Sequence, residues 1–223
     1  LARTEALRER EEKYAAVFNN ANDAMLLYRL TEDNRASVLS EVNDVACRML
    51  GYRRDELLAM DLAACVAPEY SVAFQTAQER LWLLGQVRFE VELAGSGGKR
   101  IPAEINAHVF PLGTQRYALT IIRDISGRRE AERKLQYRLT VEKALSQAAG
   151  MLVQGDTTDL TAVVAVLGQA VGVSRAYIFQ LSSDGKTIAK TAEWCDNGVP
   201  SYRQETSSVS ISGLNWALAR LKR

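Results

Sequence analysis

Side chains able to do covalent or metal chemistry are scarce here. His108 is the only histidine in 223 residues, and Cys47, Cys65 and Cys195 are the only thiols. A histidine-based nucleophile triad or a multi-histidine metal centre needs more than that. Three cysteines with no close pair support neither a disulfide framework nor a thiolate zinc site, so no metal site is expected. The loop "GSGGKR" (95–100) lacks the Gly-x4-Gly-Lys-Ser/Thr spacing of a phosphate cradle and reads as a strand-to-strand turn. Trp194 and Cys195 read as core and strand residues, and "EREE" and "RRDE" as solvated helix faces. No acid, base and nucleophile set converges, which points away from a stand-alone enzyme and leaves no catalytic residue to name. What remains is "TIIRDISGRREAERKL" (120–135), where an apolar strand runs straight into a charged helical segment with Asp124 at the join. Asp124 fits there as a helix N-cap or as an ion-pair partner of Arg128, one turn along.

The elements that must position these residues follow from hydrophobic period and punctuation. Lys plus Arg is 28 against 27 for Asp plus Glu, so no basic excess favours nucleic acid, and 47% hydrophobic content supports two small cores better than one. The longest apolar stretch, "LTAVVAVLGQAVGV" (160–173), falls short of the roughly 20 residues of a spanning helix, so the chain reads as soluble and cytoplasmic without membrane insertion. It begins at Leu1 rather than Met and reads as a piece of something longer. An amphipathic helix (1–20) places Tyr14, Val17 and Phe18 on one face. "AMLLYRL" and "ASVLSEV" form a hairpin across "TEDNR", and "VNDVACRMLGY" starts a helix capped by Asn43 or Asp44 and stopped by Gly51.

A short helix at "RRDELLAM" is followed by a longer one, "EYSVAFQTAQERLWLLG", carrying Val72, Phe74, Leu81 and Leu84. Three strands then close the domain: "QVRFEVELAG", "KRIPAEINAHVF" and "QRYALTIIRDI". In the middle one, Ala103, Ile105, Ala107 and Val109 alternate with Glu104, Asn106, His108 and Phe110, so His108 belongs on the outer face. Residues 127–152 form a linker helix, a candidate coiled coil whose seam runs Arg128, Ala131, Leu135, Arg138, Glu142, Leu145, Ala149, Leu152. After "QGDTTD" come a helix (159–171), a hairpin on Asp184-Gly185 and a last helical piece, "LNWALARLKR".

Residues 21–126 resemble a PAS sensory domain, through "FNNANDAMLLY", "VNDVACRMLGYRRDELLAM", "GGKRIPAEINAHVFPL" and "ALTIIRDISGRREAERKL" in combination. Residues 153–223 resemble the N-terminal part of a GAF domain, through "AVGVSRAYIFQLSSDGKTIAKTAEWCDNGV", without the later strands of that fold. The resemblance implies an α+β chain: a PAS-like five-stranded antiparallel sheet with flanking helices, a long linker helix, then an incomplete GAF-like α/β segment. Pocket candidates are Leu26, Tyr28, Cys47, Leu50, Phe74, Phe89, Val91, Ile105, Ala107, Thr120 and Ile122. Ala103 and Ala107 leave room that a ligand, or Trp82 or Phe89, would fill. The relay residues are Asp124, Ile125, Ser126 and Arg128, since PAS proteins pass signals outward from such a join.

A flavin-adduct light sensor resembles this pattern only in part: Leu62 stands at the reactive thiol's position, Ala103 and Ile122 replace flavin-holding polar residues, and Cys65 reads as core. Haem-binding relatives carry an axial histidine on the long helix, and this one has none. No cofactor is therefore expected, although an unknown small ligand remains open. The functional expectation is a sensing or dimerising module, a homodimer, relaying through its linker to an output domain in the same parent chain. A bacterial sensor histidine kinase and a cyclic-dinucleotide signalling protein are the parents such architectures belong to. The alternatives are a ligand-free dimerisation scaffold and a haem- or flavin-bearing redox or gas sensor.

Overall fold

The computed structural model describes residues 2–30, 36–153, 160–201 and 209–210. The chain divides into two compact units, Leu1–Glu130 and Ala131–Arg223. The expected "TEDNR" turn, the "QGDTTD" break and the closing "LNWALARLKR" helix lie outside the described residues.

The first unit opens with helix α1 (Ala2–Asn19), and strands β1 (Ala24–Leu30) and β2 (Ala36–Val42) follow. Next come α2 (Asp44–Leu50), α3 (Arg54–Ala59), two short 3₁₀ turns (Leu62–Cys65 and Pro68–Tyr70) and α4 (Ser71–Leu84). Strands β3 (Gln86–Ala94), β4 (Arg100–Leu112) and β5 (Gln115–Asp124) complete a five-stranded antiparallel sheet in the order β2-β1-β5-β4-β3. The last element of the chain to be joined centrally, β5, thus lies between β1 and β4. Helices α2, α3 and α4 pack on one side of this sheet, against β1, β2 and β3 respectively.

Strand alternation explains the core. Along β1, Ala24, Leu26, Tyr28 and Leu30 are buried, and along β4 Ile101, Ala103, Ile105 and Ala107 are. His108 is exposed on the opposite face, as the alternation requires, in a stack with Phe110 (ring centroids 6.4 Å apart). On α4, Phe74, Ala77 and Leu81 turn inward at helical spacing, whereas Val72 and Leu84 are 72% and 71% exposed. Val17 departs similarly from the face expected of α1: Phe18 is buried, Val17 is 69% exposed, and only the stretch next to Phe18 docks.

Asn43 ties these elements together. It caps α2, its Oδ1 accepting from Ala46 N–H (2.9 Å), and the same oxygen accepts from Met25 N–H (3.0 Å). Its Nδ2 donates to the Phe18 and Asp23 carbonyls (both 3.0 Å), so a fully buried amide is satisfied on every side. Gly51 stops α2 at φ 76°, and a Cβ on Gly95 would stand 2.8 Å from the Leu50 carbonyl oxygen. The "GSGG" turn therefore uses Gly97 and Gly98 for positive φ and Gly95 for close approach.

Helix α5 (Ser126–Val153) begins two residues beyond β5 and is continuous to residue 153. In the second unit, α6 (Leu160–Val171) packs on β6 (Arg175–Leu181) and β7 (Thr187–Cys195), which are paired across a turn with Gly185 at φ 69°. A third strand, β8 (Val209–Ser210), pairs with β7, so this sheet has three strands where the sequence pattern suggested two. A Cβ on Gly168 would come within 2.5 Å of the Trp194 ring, which places Trp194 as packing against α6. Among the described residues no helix is long and apolar enough to cross a membrane.

Candidate functional site

A cavity lies between α4 and the inner face of the sheet, with about 50 Å³ of room for the centres of water-sized molecules. One water needs roughly 10–15 Å³ on that measure, so there is space for a few waters or one small ring. Six of the eleven pocket candidates line it: Tyr28, Phe74, Phe89, Ile105, Ala107 and Thr120. Leu26 and Leu50 are core residues beside a crevice with no measurable room, Val91 and Ile122 are fully buried core, and Cys47 packs half-buried against that core. These five point inward, but they sit away from the gap that α4 leaves.

Ala77, Gln78 and Asp61, which sequence reasoning did not single out, join Leu81, Trp82 and Leu62 in the lining. Ala77, Gln78, Leu81 and Trp82 share one face of α4 with Phe74, and that i, i+3, i+4, i+7, i+8 pattern was the available signal. Asp61, at the 3₁₀ turn, carried none, while Leu62 stood at the position the resemblance gives to a pocket thiol. Asp61 Oδ1 accepts from Ala63 N–H (2.9 Å), which leads the chain into that turn and brings both side chains to the cavity.

The lining is mostly aliphatic and aromatic, with side-chain polar groups at Tyr28, Asp61, Gln78, Thr120 and the Trp82 indole. Tyr28 is 7% exposed, and its hydroxyl has no hydrogen-bond partner. Burial chiefly, then the Cys65 sulfur and the Asp61 carboxylate, raises its pKa well above the ordinary 10.0. Burial likewise raises the Cys65 thiol above its ordinary value, which keeps it protonated and poorly nucleophilic. Leu62 lines the cavity where a flavin-adduct thiol would be needed, and His108 faces away from it. No cysteine or histidine is among the lining residues. Among the described residues, no three His, Cys, Asp or Glu side chains gather as a metal site.

A larger recess of about 220 Å³ lies on the outer face of the sheet, lined by Asp23, Arg88, Glu104, Asn106, Ile121 and Arg123. Its charges close on one another, Arg88 with Glu104 at 2.6 Å and Arg123 with Asp23 at 2.8 Å.

The four relay candidates stand together at the end of β5. Asp124 Oδ1 accepts from Ser126 N–H (2.8 Å), an i to i+2 bond that satisfies the first amide of α5. Ile125 is buried, its N–H donates to the Pro102 carbonyl (2.9 Å), and its own carbonyl accepts from Arg129 N–H (2.9 Å). One residue thus ends the β4–β5 ladder and starts the helix. Arg128 and Arg129 both reach Glu90 on β3, and Arg128 also lies 4.0 Å from Glu104. The Arg129 and Arg128 guanidiniums hold the Glu90 carboxyl below its usual range. Glu90 gave no sign in the sequence, because its partner is distant along the chain.

The PAS domain family profile matches residues 22–127. A methyl sulfide methyltransferase-associated sensor of Methanosarcina acetivorans is 27% identical over 198 residues, covering 87% of this chain and 19% of that protein. This chain therefore spans about a fifth of that relative's length. Among solved structures, the PAS domain of an HTR-like protein from Haloarcula marismortui is 25% identical over 56% of this chain and 98% of its own, with a TM-score of 0.47. A domain of the sensory box sensor histidine kinase/response regulator from Geobacter sulfurreducens is 27% identical over 53% of this chain and 96% of its own, at a TM-score of 0.43. The matched residues run from the start of β1 through all five strands to the first turn of α5, and residues 22–127 of this chain form a PAS domain.

Proposed function

We propose that the chain is a sensing and relay module with a regulatory role, in which occupancy of the α4 cavity alters the packing of α5 and, through it, an output domain of the parent protein. One observation carries this reading. Strand β5 supplies Ala118 and Thr120 to the cavity wall and, four residues beyond Thr120, becomes α5 through Asp124 and Ile125 with no intervening loop. A strand and helix joined this way cannot move independently, so a shift of the wall is a shift of the helix base. Two arrangements of α5 differing by a few kcal/mol would suffice, since a ligand redistributes such populations by its differential affinity.

In this reading the protein is a cytoplasmic homodimer, with α5 of two copies pairing along the Leu135, Leu145 and Leu152 seam. These leucines are 60%, 54% and 46% exposed in a single chain. The second unit is read as the front of a GAF domain, on its helix, its β6–β7 hairpin and the added β8. The output domain is that of a sensor histidine kinase or a cyclic-dinucleotide enzyme. No cofactor has a part in this reading, because no cysteine or histidine is among the lining residues.

The experiment is Asp124→Ala, beside a two-glycine insertion after Ile125, in the full-length protein. Stimulus-driven output should fall with the first change and vanish with the second, while folded protein is recovered at wild-type yield. Undiminished output in the insertion variant would remove the relay. A second reading, a ligand-free dimerisation scaffold, is favoured by the small volume of the cavity. Mass spectrometry of protein purified from its native host, under non-denaturing conditions, separates the two by whether a small molecule travels with it.

A further inference from the structure

The inner face of the sheet carries one sealed hydroxyl and one open one. That of Tyr28 is closed to a water-sized atom, so a molecule entering the α4 cavity does not touch it. Thr120 is the opposite case. It is 4% exposed and stands on the middle strand, β5, with Leu26 of β1 and Ala107 of β4 as its rung neighbours. Its hydroxyl makes no hydrogen bond among the described residues, yet it is not among the side-chain atoms sealed there without a partner. A buried residue's unbonded hydroxyl that a water-sized atom can still reach opens on an internal space, and the space that Thr120 lines is the α4 cavity. Its neighbours explain the opening. Ala107 across the rung and Ala118 two residues back on the same face also line the cavity, and neither is long enough to cover the hydroxyl.

The other wall is formed by rings, Phe74 and Trp82 on α4 and Phe89 on β3, with the Phe74 and Phe89 centroids 6.2 Å apart. An occupant that merely fills the space between would cover the Thr120 hydroxyl and leave it unmet, whereas one that bonds it keeps that cost off. The lining also bears on charge. No lysine, arginine or histidine is in it, so an anion would meet the Asp61 carboxylate and no counter-charge. Asp61 itself is exposed, so a cation would exchange water for an apolar wall with only a solvated partner at the rim.

We infer that Thr120 is the ligand-selecting residue of the α4 cavity, its hydroxyl hydrogen-bonding the one polar group of an uncharged molecule, no larger than a small ring, whose apolar remainder lies against the rings of α4 and β3. This rests on the sensing role proposed above and deepens it, by naming the ligand's chemical class and the side chain that reads it. The bond is made on β5, the strand that becomes α5, so binding acts directly on the element that carries the relay.

The test titrates the whole isotope-labelled chain with four five-membered rings, cyclopentanol, cyclopentane, cyclopentylammonium and cyclopentanecarboxylate, followed by two-dimensional NMR. We expect cyclopentanol to shift the amides of α4, β5 and the first turn of α5, and to bind more tightly than either ion. Alcohol and hydrocarbon differ in their cost of leaving water, so the decisive quantity is the ratio of their affinities within each variant. Thr120→Val exchanges the hydroxyl for a methyl group and keeps the branched shape that suits a strand. It should lower the alcohol-to-hydrocarbon ratio about tenfold or more, by weakening cyclopentanol and not cyclopentane, while Thr120→Ser, which keeps the hydroxyl, should hold the ratio within about threefold of the wild type. A ratio that Thr120→Val leaves unchanged overturns the selecting role and keeps the cavity as a ligand site. Tighter binding of either ion than of cyclopentanol overturns the uncharged class. Thr120-dependent binding of cyclopentanol that leaves the α5 amides unmoved upholds this inference and removes the relay. Failure of all four to bind overturns this inference and the ligand half of the sensing role together, leaving the scaffold reading.

Discussion

Tyr28 shows what a single sealed hydroxyl does to stability. The buried and unmet group costs about 1–3 kcal/mol. Tyr28→Phe should therefore raise the stability of the ligand-free chain by about 1 kcal/mol, measured by chemical denaturation, an unusual sign for a core substitution. The pH dependence has a definite direction. Tyr28 ionises near 10.0 when unfolded and higher when folded. The stability linked to its neutral form is thus fully present below about pH 10 and is lost as pH rises from there towards the folded value. Denaturation midpoints between pH 9 and 11 should fall less steeply in Tyr28→Phe than in the wild type, and parallel curves would show the hydroxyl to be in contact with solvent. In the sequence, Tyr28 is one of several inward residues of an apolar strand, and its alternation marks it as core. Its surroundings include Asp61 and Cys65 from one 3₁₀ turn and Thr120 from β5, two segments that only the fold brings to β1.

At the scale of elements, joins carry more information than the elements themselves. Asn43 was legible as a helix cap, from its place before "DVACRML" and the glycine that follows. Its three further bonds, to Met25, Phe18 and Asp23, were not, because they require α1, β1 and α2 to converge. Asn43→Ala strands several buried backbone groups at once and should cost about 3 kcal/mol or more, read as a drop in denaturation midpoint. Asn43→Asp keeps the accepting oxygen and loses the two donated bonds, so it should fall between alanine and the wild type. The succession of strands and helices along the chain, the β3–β4 hairpin and the long helix were readable from period-2 and 3.6 patterns and from the glycine turn, whereas the order of the strands within the sheet was not. The sheet side of the cavity was readable, in Tyr28, Phe89, Ile105, Ala107 and Thr120, but its depth was not, since that is set by how far α4 stands from the sheet. Five of the eleven pocket candidates lie away from this cavity, while Asp61 and Gln78 joined the lining.

At the scale of the whole molecule, the two units differ. The first is matched as a PAS domain and has a closed core with a cavity. The second presents Tyr177, Phe179 and Leu181 outward on β6, an edge strand of a three-stranded sheet. Its reading as part of a GAF domain depends on strands that pattern alone did not supply. Self-association is testable at this scale through α5. Replacing Leu135 and Leu145 by aspartate should convert a dimer to a monomer by sedimentation velocity, with helix content of the folded chain retained. A dimer that persists unchanged would move its interface off this helix.

The register of the sheet has a mechanical corollary. Ala24, at the start of β1, is paired with Ile122, near the end of β5, and the Asp23–Arg123 ion pair staples the same spot. The chain thus enters the domain and departs from it through adjoining doorways, so the incoming and outgoing helices are anchored to neighbouring rungs. A twist imposed upstream has only one ladder to cross before it is felt downstream. Such a domain can be spliced into a longer series of modules as a tap on a passing line, reading and modulating what runs by.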